Sequence, residues 1–230
     1  MTNITVSEKF AMFLIKEDTD FKDNVLNSFL ISLMIAEMEL EGCISIIDNS
    51  EGKRKISPSK YEIALNGTEP SREYGRLIYQ VMQDNRKEKL LLGEIVDKLC
   101  IGGIRNSAAD SRSIIDAIKA DMVAEGLISL ETKGKLFGKK EDVVLNEECF
   151  KEVLYGLREK LIGQEPLDEE SMLLCSALKC SELFKKLFIK YEKPAQKQRE
   201  KEIKESAVYR RISVAQLIDD SDAAAIISCL

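Results

Sequence analysis

The longest apolar stretch of the chain lies at residues 25–44 and is apolar on almost every side of a helix. A helix without a broad polar face has to be surrounded by other protein or by lipid. Crossing a bilayer takes about 18 or more consecutive apolar residues, and Glu37 and Glu39 interrupt this stretch. The pattern therefore predicts the central buried helix of a soluble domain, ending at Gly42, a residue that suits the position after a helix.

The rest of the pattern predicts a mainly α protein, a single compact multi-helix domain with two small β-hairpins. The predicted helices cover residues 7–16, a short amphipathic segment, and then 71–83, 89–100, 110–125, 147–161, 168–191 and 193–209. The predicted strands are 43–48 with 61–65, and 127–130 with 143–145 on either side of a loop at 131–142. No repeat or low-complexity linker divides the chain, so we expect one domain over residues 1–230, with its core at about 7–225.

Two charged features of this pattern matter for function. Glu37 lies on the same helical stripe as Leu30 and Leu33, so we expect its carboxyl group to be buried. A buried carboxylate needs a partner or a raised pKa. We favour a structural role over that of a general acid, because no second carboxylate or nucleophile is evident beside it. The mixed charges at 192–211 are typical of a solvated helix face.

Composition narrows the classes of function. The 230 residues include no histidine, the commonest general base and metal ligand, and this favours a binding protein over an enzyme. The net charge of −6 argues against bulk nucleic-acid binding, since duplex-binding domains carry a basic footprint. The six cysteines form no CxxC pair, so we expect reduced thiols in a cytoplasmic protein, with no metal and no cofactor. Residues 1–10 are polar and predict no signal peptide.

Basic residues concentrate in the two predicted hairpins. In the second, lysines surround the apolar pair Leu136 and Phe137. These lysines are Lys133, Lys135, Lys139 and Lys140. An apolar pair in a basic collar suits weak docking on an anionic lipid surface. In the alternative interpretation, Phe137 packs back on the domain and the lysines keep the hairpin soluble.

The first hairpin carries a basic turn. Its residues are Lys53, Arg54 and Lys55. On an acidic protein such a cluster is typical of a solvated turn. The alternative is that it joins Arg112 and the second hairpin in one membrane-facing patch on the cytoplasmic face of a membrane.

The order of these elements, with three local patterns, resembles the Golgi phosphoprotein 3 family of peripheral Golgi adaptors and their bacterial relatives. The patterns are Ile-Ala-Glu-Met-Glu-Leu-Glu-Gly-Cys-Ile at 35–44, Met-Val-Ala-Glu-Gly-Leu-Ile at 122–128, and Leu-Leu-Cys-Ser-Ala-Leu at 173–178. The resemblance implies a non-enzymatic protein that binds phosphatidylinositol 4-phosphate on a membrane. It also implies binding of the cytosolic tails of membrane proteins, as in eukaryotic members, and a homo-oligomer formed through the 131–142 hairpin.

The family's headgroup pocket uses a tryptophan and three arginines. Aligning the apolar patterns places Lys22 at the tryptophan position, and Ile31, Arg112 and Ile115 at the arginine positions. Only Arg112 matches, while Lys22 supplies a point charge without a ring. Because isoleucine cannot bind phosphate, whereas an arginine fork can, we expect the fold to carry over and the specific headgroup recognition not to. A bacterial-type member is expected to look like this.

Two other classes of function remain as alternatives. A winged-helix-type nucleic-acid-binding or regulatory protein has helices followed by a hairpin, which is the order predicted here. Its recognition helix would be acidic, because Asp110, Asp116 and Asp121 outnumber Arg112 and Lys119, and a phosphate backbone repels an acidic helix. An enzyme is not expected, since the sequence contains no nucleophile elbow, metal-ligand spacing or phosphate-binding motif.

Overall fold

A computed structural model describes residues 4–17, 24–49, 61–85, 89–101, 111–135, 138–163 and 165–212. Within these ranges the chain forms nine α-helices and two antiparallel two-stranded sheets, which confirms the predicted mainly α fold with two small hairpins. The helices are α1 (Val6–Lys16), α2 (Asn24–Leu40), α3 (Glu73–Asp84), α4 (Leu92–Ile101), α5 (Ser111–Ala124), α6 (Glu147–Ile162), α7 (Glu169–Cys180), α8 (Lys193–Glu205) and α9 (Ala207–Ile212). The strands are β1 (Ile44–Asp48), β2 (Tyr61–Leu65), β3 (Ile128–Lys135) and β4 (Gly138–Leu145).

Helix α2 is the centre of the core, as its apolar sequence predicts. It packs against α1, α3, α4, α7 and α9, and every residue from 27 to 38 is buried. Gly42 ends the helix with a φ of 74°, which glycine adopts without steric cost, and the Cys43 N–H donates back to the Met38 carbonyl at 2.9 Å. Among the described residues, no helix has both the length and the apolar character needed to cross a membrane.

Helix α1 is more deeply buried than an amphipathic surface segment. Phe10, Met12 and Leu14 are inaccessible to solvent, and the helix contacts α2, α7, α6 and β4. Even Ser7 and Glu8 on its polar side are buried. The pattern of apolar residues at 7–16 therefore predicted the helix but not how deeply it is buried. The residues that contact its polar face lie far away in the sequence.

The second hairpin corrects one sequence prediction. Residues 131–142 were expected to form a loop, but most of them extend the two strands. The register pairs Ile128 with Leu145 at the base and Lys135 with Gly138 at the outer end. Lys, Glu and Gly have low strand propensity, which hid this ribbon in the sequence, and the pairing of the two backbones overrides that propensity.

The predicted helix at 168–191 is also corrected. Helix α7 ends at Cys180, and the chain continues as two 3-10 helices, Leu183–Leu187 and Lys190–Glu192. Glu182 at the break has a φ of 61°, a left-handed conformation that costs a non-glycine residue about 1 kcal/mol or more. The burial of Phe184 and Leu187 just after the break offsets that cost.

The charged stretch 192–211 is not simply a solvated face. Helix α8 packs against α6 and α7, and both Arg199 and Ile203 on it are buried. Arg199 is 2% exposed. The prediction failed here because alternating charges show helix but do not show which charged residue turns inward.

Candidate functional site

The outer half of the β3–β4 hairpin brings the predicted lysines together. Cross-strand partners are Lys133 with Lys140, Gly134 with Lys139, and Lys135 with Gly138. Four positive charges therefore lie at the last three register pairs of the ribbon. Lys133 and Lys140 are directly opposite each other, an arrangement of like charges that weakens a hairpin. The strand pairing gains nothing from these lysines, so their concentration requires another explanation.

The base of this hairpin lies at the edge of the core. Ile128 at its base is buried, whereas Leu130 is already 46% exposed and Glu131 is exposed. The strands contact α5 and α1, and eight residues of strand extend about 27 Å. The two residues that join the strands, Leu136 and Phe137, lie outside the described part of the chain.

The residues aligned with the headgroup pocket fall in two environments. Arg112 is exposed in the first turn of α5. Ile115, one turn further along, is buried, and Ile31 is buried in the middle of α2. Lys22 lies outside the described residues, as does the basic turn formed by Lys53, Arg54 and Lys55. The two isoleucines thus belong to the hydrophobic core.

Glu37 has a structural role, as predicted, and makes a capping contact with α1. Its Oε1 accepts a hydrogen bond from the Val6 backbone N–H at 2.6 Å and a longer one from Ser7 at 3.4 Å, at the first turn of α1. Its Oε2 accepts from the Tyr74 hydroxyl at 2.9 Å. The side chain therefore attaches α1 and α3 to the central helix, using helix N–H groups that have no partner within α1.

A second buried carboxyl, Glu8, belongs to the same network, contrary to the expectation that none lies beside Glu37. Glu8 accepts from the Thr5 N–H at 2.9 Å, and its Oε1 lies 3.2 Å from Nε of Arg72. The Thr5 hydroxyl is 2.9 Å from that of Tyr74, which links Glu8 to Glu37. The Thr-x-x-Glu spacing at 5–8 indicates a capping box, and this was the signal available in the sequence.

Burial sets the protonation of this network. It raises the pKa of both Glu8 and Glu37 above the usual value for glutamate, and it raises the pKa of Asp121 nearby. Burial also raises the pKa of Tyr74, so its hydroxyl stays a hydrogen-bond donor. Because Glu8, Glu37 and Tyr74 are all buried, a substrate in solvent cannot contact them, and the arrangement acts structurally.

The described cysteines are free thiols, as predicted. Burial raises the pKa of Cys43 to about 11 and those of Cys100 and Cys180 to about 12. Such thiols are protonated at neutral pH and are poor nucleophiles. Across the described ranges, no group of three or more cysteine, aspartate or glutamate residues is placed to hold a metal ion.

No protein-family model matches the chain, and a search of curated proteins finds no significant match.

Proposed function

We propose that this protein is a non-enzymatic peripheral membrane adaptor that docks on an anionic phospholipid surface on the cytoplasmic side of a membrane. The observation that carries the proposal is the set of four lysines at the last three register pairs of the β3–β4 hairpin. The resemblance to the Golgi phosphoprotein 3 family supports it, since that family binds membranes from the same place in the order of elements.

The expected affinity follows from the composition of the hairpin. Each lysine near an anionic surface contributes about 1 kcal/mol, and Leu136 with Phe137 adds about 3–5 kcal/mol if both are fully buried in lipid. These contributions oppose the loss of translational freedom on binding. The result is weak and reversible docking, which we expect added salt to screen.

The hairpin lysines give a direct test. Lys133→Gln with Lys140→Gln is expected to weaken binding to anionic vesicles by about 30-fold, the equivalent of two lysine contributions. Co-sedimentation with vesicles of neutral and of anionic lipid, at low and physiological salt, measures this. Lys201→Gln with Lys204→Gln is the matched control, because it removes the same charge from exposed positions of α8.

Equal losses in the two double variants would mean that net charge, not the hairpin, governs binding. If the wild-type protein ignores anionic vesicles even at low salt, the membrane proposal is wrong. Binding that persists in Leu136→Asp with Phe137→Asp would remove the apolar pair from the docking mechanism while leaving the lysines in it.

We expect no selectivity for phosphatidylinositol 4-phosphate. Two of the aligned positions hold buried isoleucines. A headgroup would therefore receive hydrogen bonds from one arginine, Arg112, instead of from the three arginines of the family's pocket. Vesicles with that lipid and vesicles with another anionic lipid of equal charge should bind the protein alike, and Arg112→Ala should change both affinities equally. A selective loss with Arg112→Ala would restore the family's headgroup site.

The winged-helix alternative receives no specific support. The exposed positions of α5 include Arg112 and Asp116, one of each sign, where a groove-binding helix needs a basic face. Retention on duplex DNA at low salt would revive that alternative.

Protein partners are the remaining part of the proposal. By resemblance we propose that the adaptor also holds cytosolic tails of membrane proteins. Among the described residues the β3–β4 sheet has two strands, and an unpaired strand edge can pair with a second copy. The four lysines oppose such pairing by repulsion, and an anionic surface that neutralises them would favour a homo-oligomer through this hairpin.

A further inference from the structure

Residues 183–193, which join α7 to α8, present two large apolar side chains at the surface. Tyr191 is 89% exposed and Ile189 is 57% exposed. Isolated exposed apolar side chains are ordinary. Here, however, two of the most exposed large apolar side chains of the described chain lie within three residues of each other, which makes them a local feature of this segment.

The backbone that carries these side chains is firmly held. Phe184 and Leu187 are buried. The Arg158 guanidinium of α6 donates to the Leu187 carbonyl and pairs with Glu192 at 2.7 Å. Glu192 in turn accepts from the Ile189 N–H at 2.9 Å. The outward positions of Ile189 and Tyr191 are therefore fixed by the fold, which lowers the entropy lost when they bind something.

The same segment is strongly basic. Four lysines against one glutamate give residues 183–193 a charge of +3 in a chain whose total is −6. The lysines are Lys185, Lys186, Lys190 and Lys193, all exposed. Glu192 is paired with Arg158 and Lys186 is paired with Glu17, so the net positive charge of the segment comes from Lys185, Lys190 and Lys193.

Helix α1 connects this segment to the base of the β3–β4 hairpin. At its carboxyl end, Glu17 pairs with Lys186 of the segment. The preceding residue, Lys16, pairs with Glu147 at 2.7 Å, two residues beyond the end of β4. The basic segment and the hairpin base thus meet at the same end of α1.

We infer that residues 183–193 form a second membrane-contact element, which inserts Tyr191 and Ile189 into the interface of an anionic lipid surface. The inference rests on the proposed membrane docking and adds a contact that the hairpin does not supply. A side chain that is 89% exposed projects from the surface, whereas a peptide partner needs a groove with walls. Tyrosine suits the lipid interface, where its ring is in apolar and its hydroxyl in polar surroundings.

The absence of tryptophan from the chain allows a direct test. In Tyr191→Trp the single tryptophan reports its own surroundings, and anionic vesicles are expected to shift its emission to shorter wavelength and to make it accessible to quenching by brominated lipid. The control is Leu40→Trp, at a residue that is 41% exposed. Glu37, one helical turn before Leu40, caps the first turn of α1, whereas Lys186 is held at the other end of this helix, which is about 16 Å long.

A binding variant provides the second measurement. Ile189→Ser with Tyr191→Ser is expected to weaken partitioning into anionic vesicles about tenfold. The reason is that the two apolar side chains, which lipid buries only in part, no longer contribute their transfer free energy. Because both positions are exposed, the melting temperature should stay close to that of the wild type.

Each outcome separates this inference from the proposed function. If the wild type binds vesicles but the emission of Tyr191→Trp does not change, the second contact is wrong while docking through the hairpin stands. The same holds if Leu40→Trp responds equally, because that would show nonspecific insertion. If the wild type does not bind vesicles, both proposals fail. A shift of Tyr191→Trp produced by an acidic protein, and not by vesicles, would make this a protein interface instead.

Discussion

Replacing Arg199 with methionine is expected to lower the free energy of unfolding by about 3–5 kcal/mol, the loss typical when one partner of a buried charged network is removed. The guanidinium accepts nothing and donates to the carboxyl end of α6, where helix carbonyls lack partners. Nη2 donates to three backbone carbonyls, those of Lys160 at 3.0 Å, Gly163 at 2.8 Å and Glu165 at 2.7 Å. Nε donates to that of Leu161 at 3.2 Å.

Methionine fills much of the same volume but donates no hydrogen bond. The Leu161 carbonyl, left buried without a donor, costs about 1–3 kcal/mol. The three other carbonyls lose a hydrogen bond to a charged donor, and Glu202, 2.6 Å from Nη1, loses its counter-charge. Urea unfolding followed by circular dichroism measures the change. Lys201→Met on the same helix is the control, since that side chain is 77% exposed and should cost no more than about 0.5 kcal/mol. A loss under 1 kcal/mol in Arg199→Met would mean that water replaces the guanidinium.

This example shows where sequence-based prediction stops. The period of apolar residues indicated α8, and the same period made Arg199 look like a solvated residue. Its burial depends on the end of α6, almost forty positions earlier in the chain, and no local pattern reports that proximity. Helix α2 is the opposite case, because an apolar sequence on all sides is sufficient to predict burial whatever the neighbours are.

The candidate site divides in the same way. The lysines of the second hairpin were visible as a basic run, and their spacing around Leu136 and Phe137 suggested a tip. Their concentration at three register pairs became clear only from the pairing of β3 with β4, in a segment predicted as loop. Tyr191 and Ile189 were hidden inside a predicted helix, and the break at Glu182 is what turns them outward.

The network around Glu37 was half predictable. Its stripe with Leu30 and Leu33 indicated burial, and burial demands a partner. The partners are backbone groups of α1 and a hydroxyl of α3, which the sequence does not pair with α2. Glu8 and Arg72 are linked to Glu37 through Thr5 and Tyr74. Such contacts between distant segments form only once the helices are packed.

Glu37→Leu is expected to destabilise the protein by about 3–4 kcal/mol, whereas Glu37→Gln should cost about 1 kcal/mol or less at neutral pH. Leucine leaves the Val6 N–H and the Ser7 N–H without their acceptor, at about 1–3 kcal/mol for each buried donor. Glutamine keeps an acceptor oxygen for Val6. Its amide can donate to the Tyr74 oxygen while that hydroxyl turns to Thr5, 2.9 Å away.

The difference in stability between the wild type and Glu37→Gln is expected to depend on pH. Burial raises the pKa of Glu37 above the ordinary 4.5, so the folded protein holds a proton that the unfolded chain releases. The stability that this proton contributes is fully present below pH 4.5 and is lost as the pH rises through the pKa of the folded state. We therefore expect the free energy of unfolding of the wild type, minus that of Glu37→Gln, to fall as pH rises from 4.5 toward neutrality.

Urea unfolding of both proteins across that range measures the difference, and the subtraction isolates Glu37 together with its electrostatic effect on Glu8. The groups that face it or its network are Glu8, Asp121, Arg72, Glu125 and Tyr74, and all are present in both proteins. Carboxylates whose pKa is lowered in the folded protein also contribute equally to both proteins, so their effect disappears in the subtraction. Glu62 is one of them, since a hydrogen bond from Lys89 lowers its pKa. A difference that stays constant with pH would mean that Glu37 is ionised in the folded protein. The α1 contact would then be an anion bound by helix N–H groups, and Glu37→Gln should show a larger loss, because glutamine cannot supply that charge.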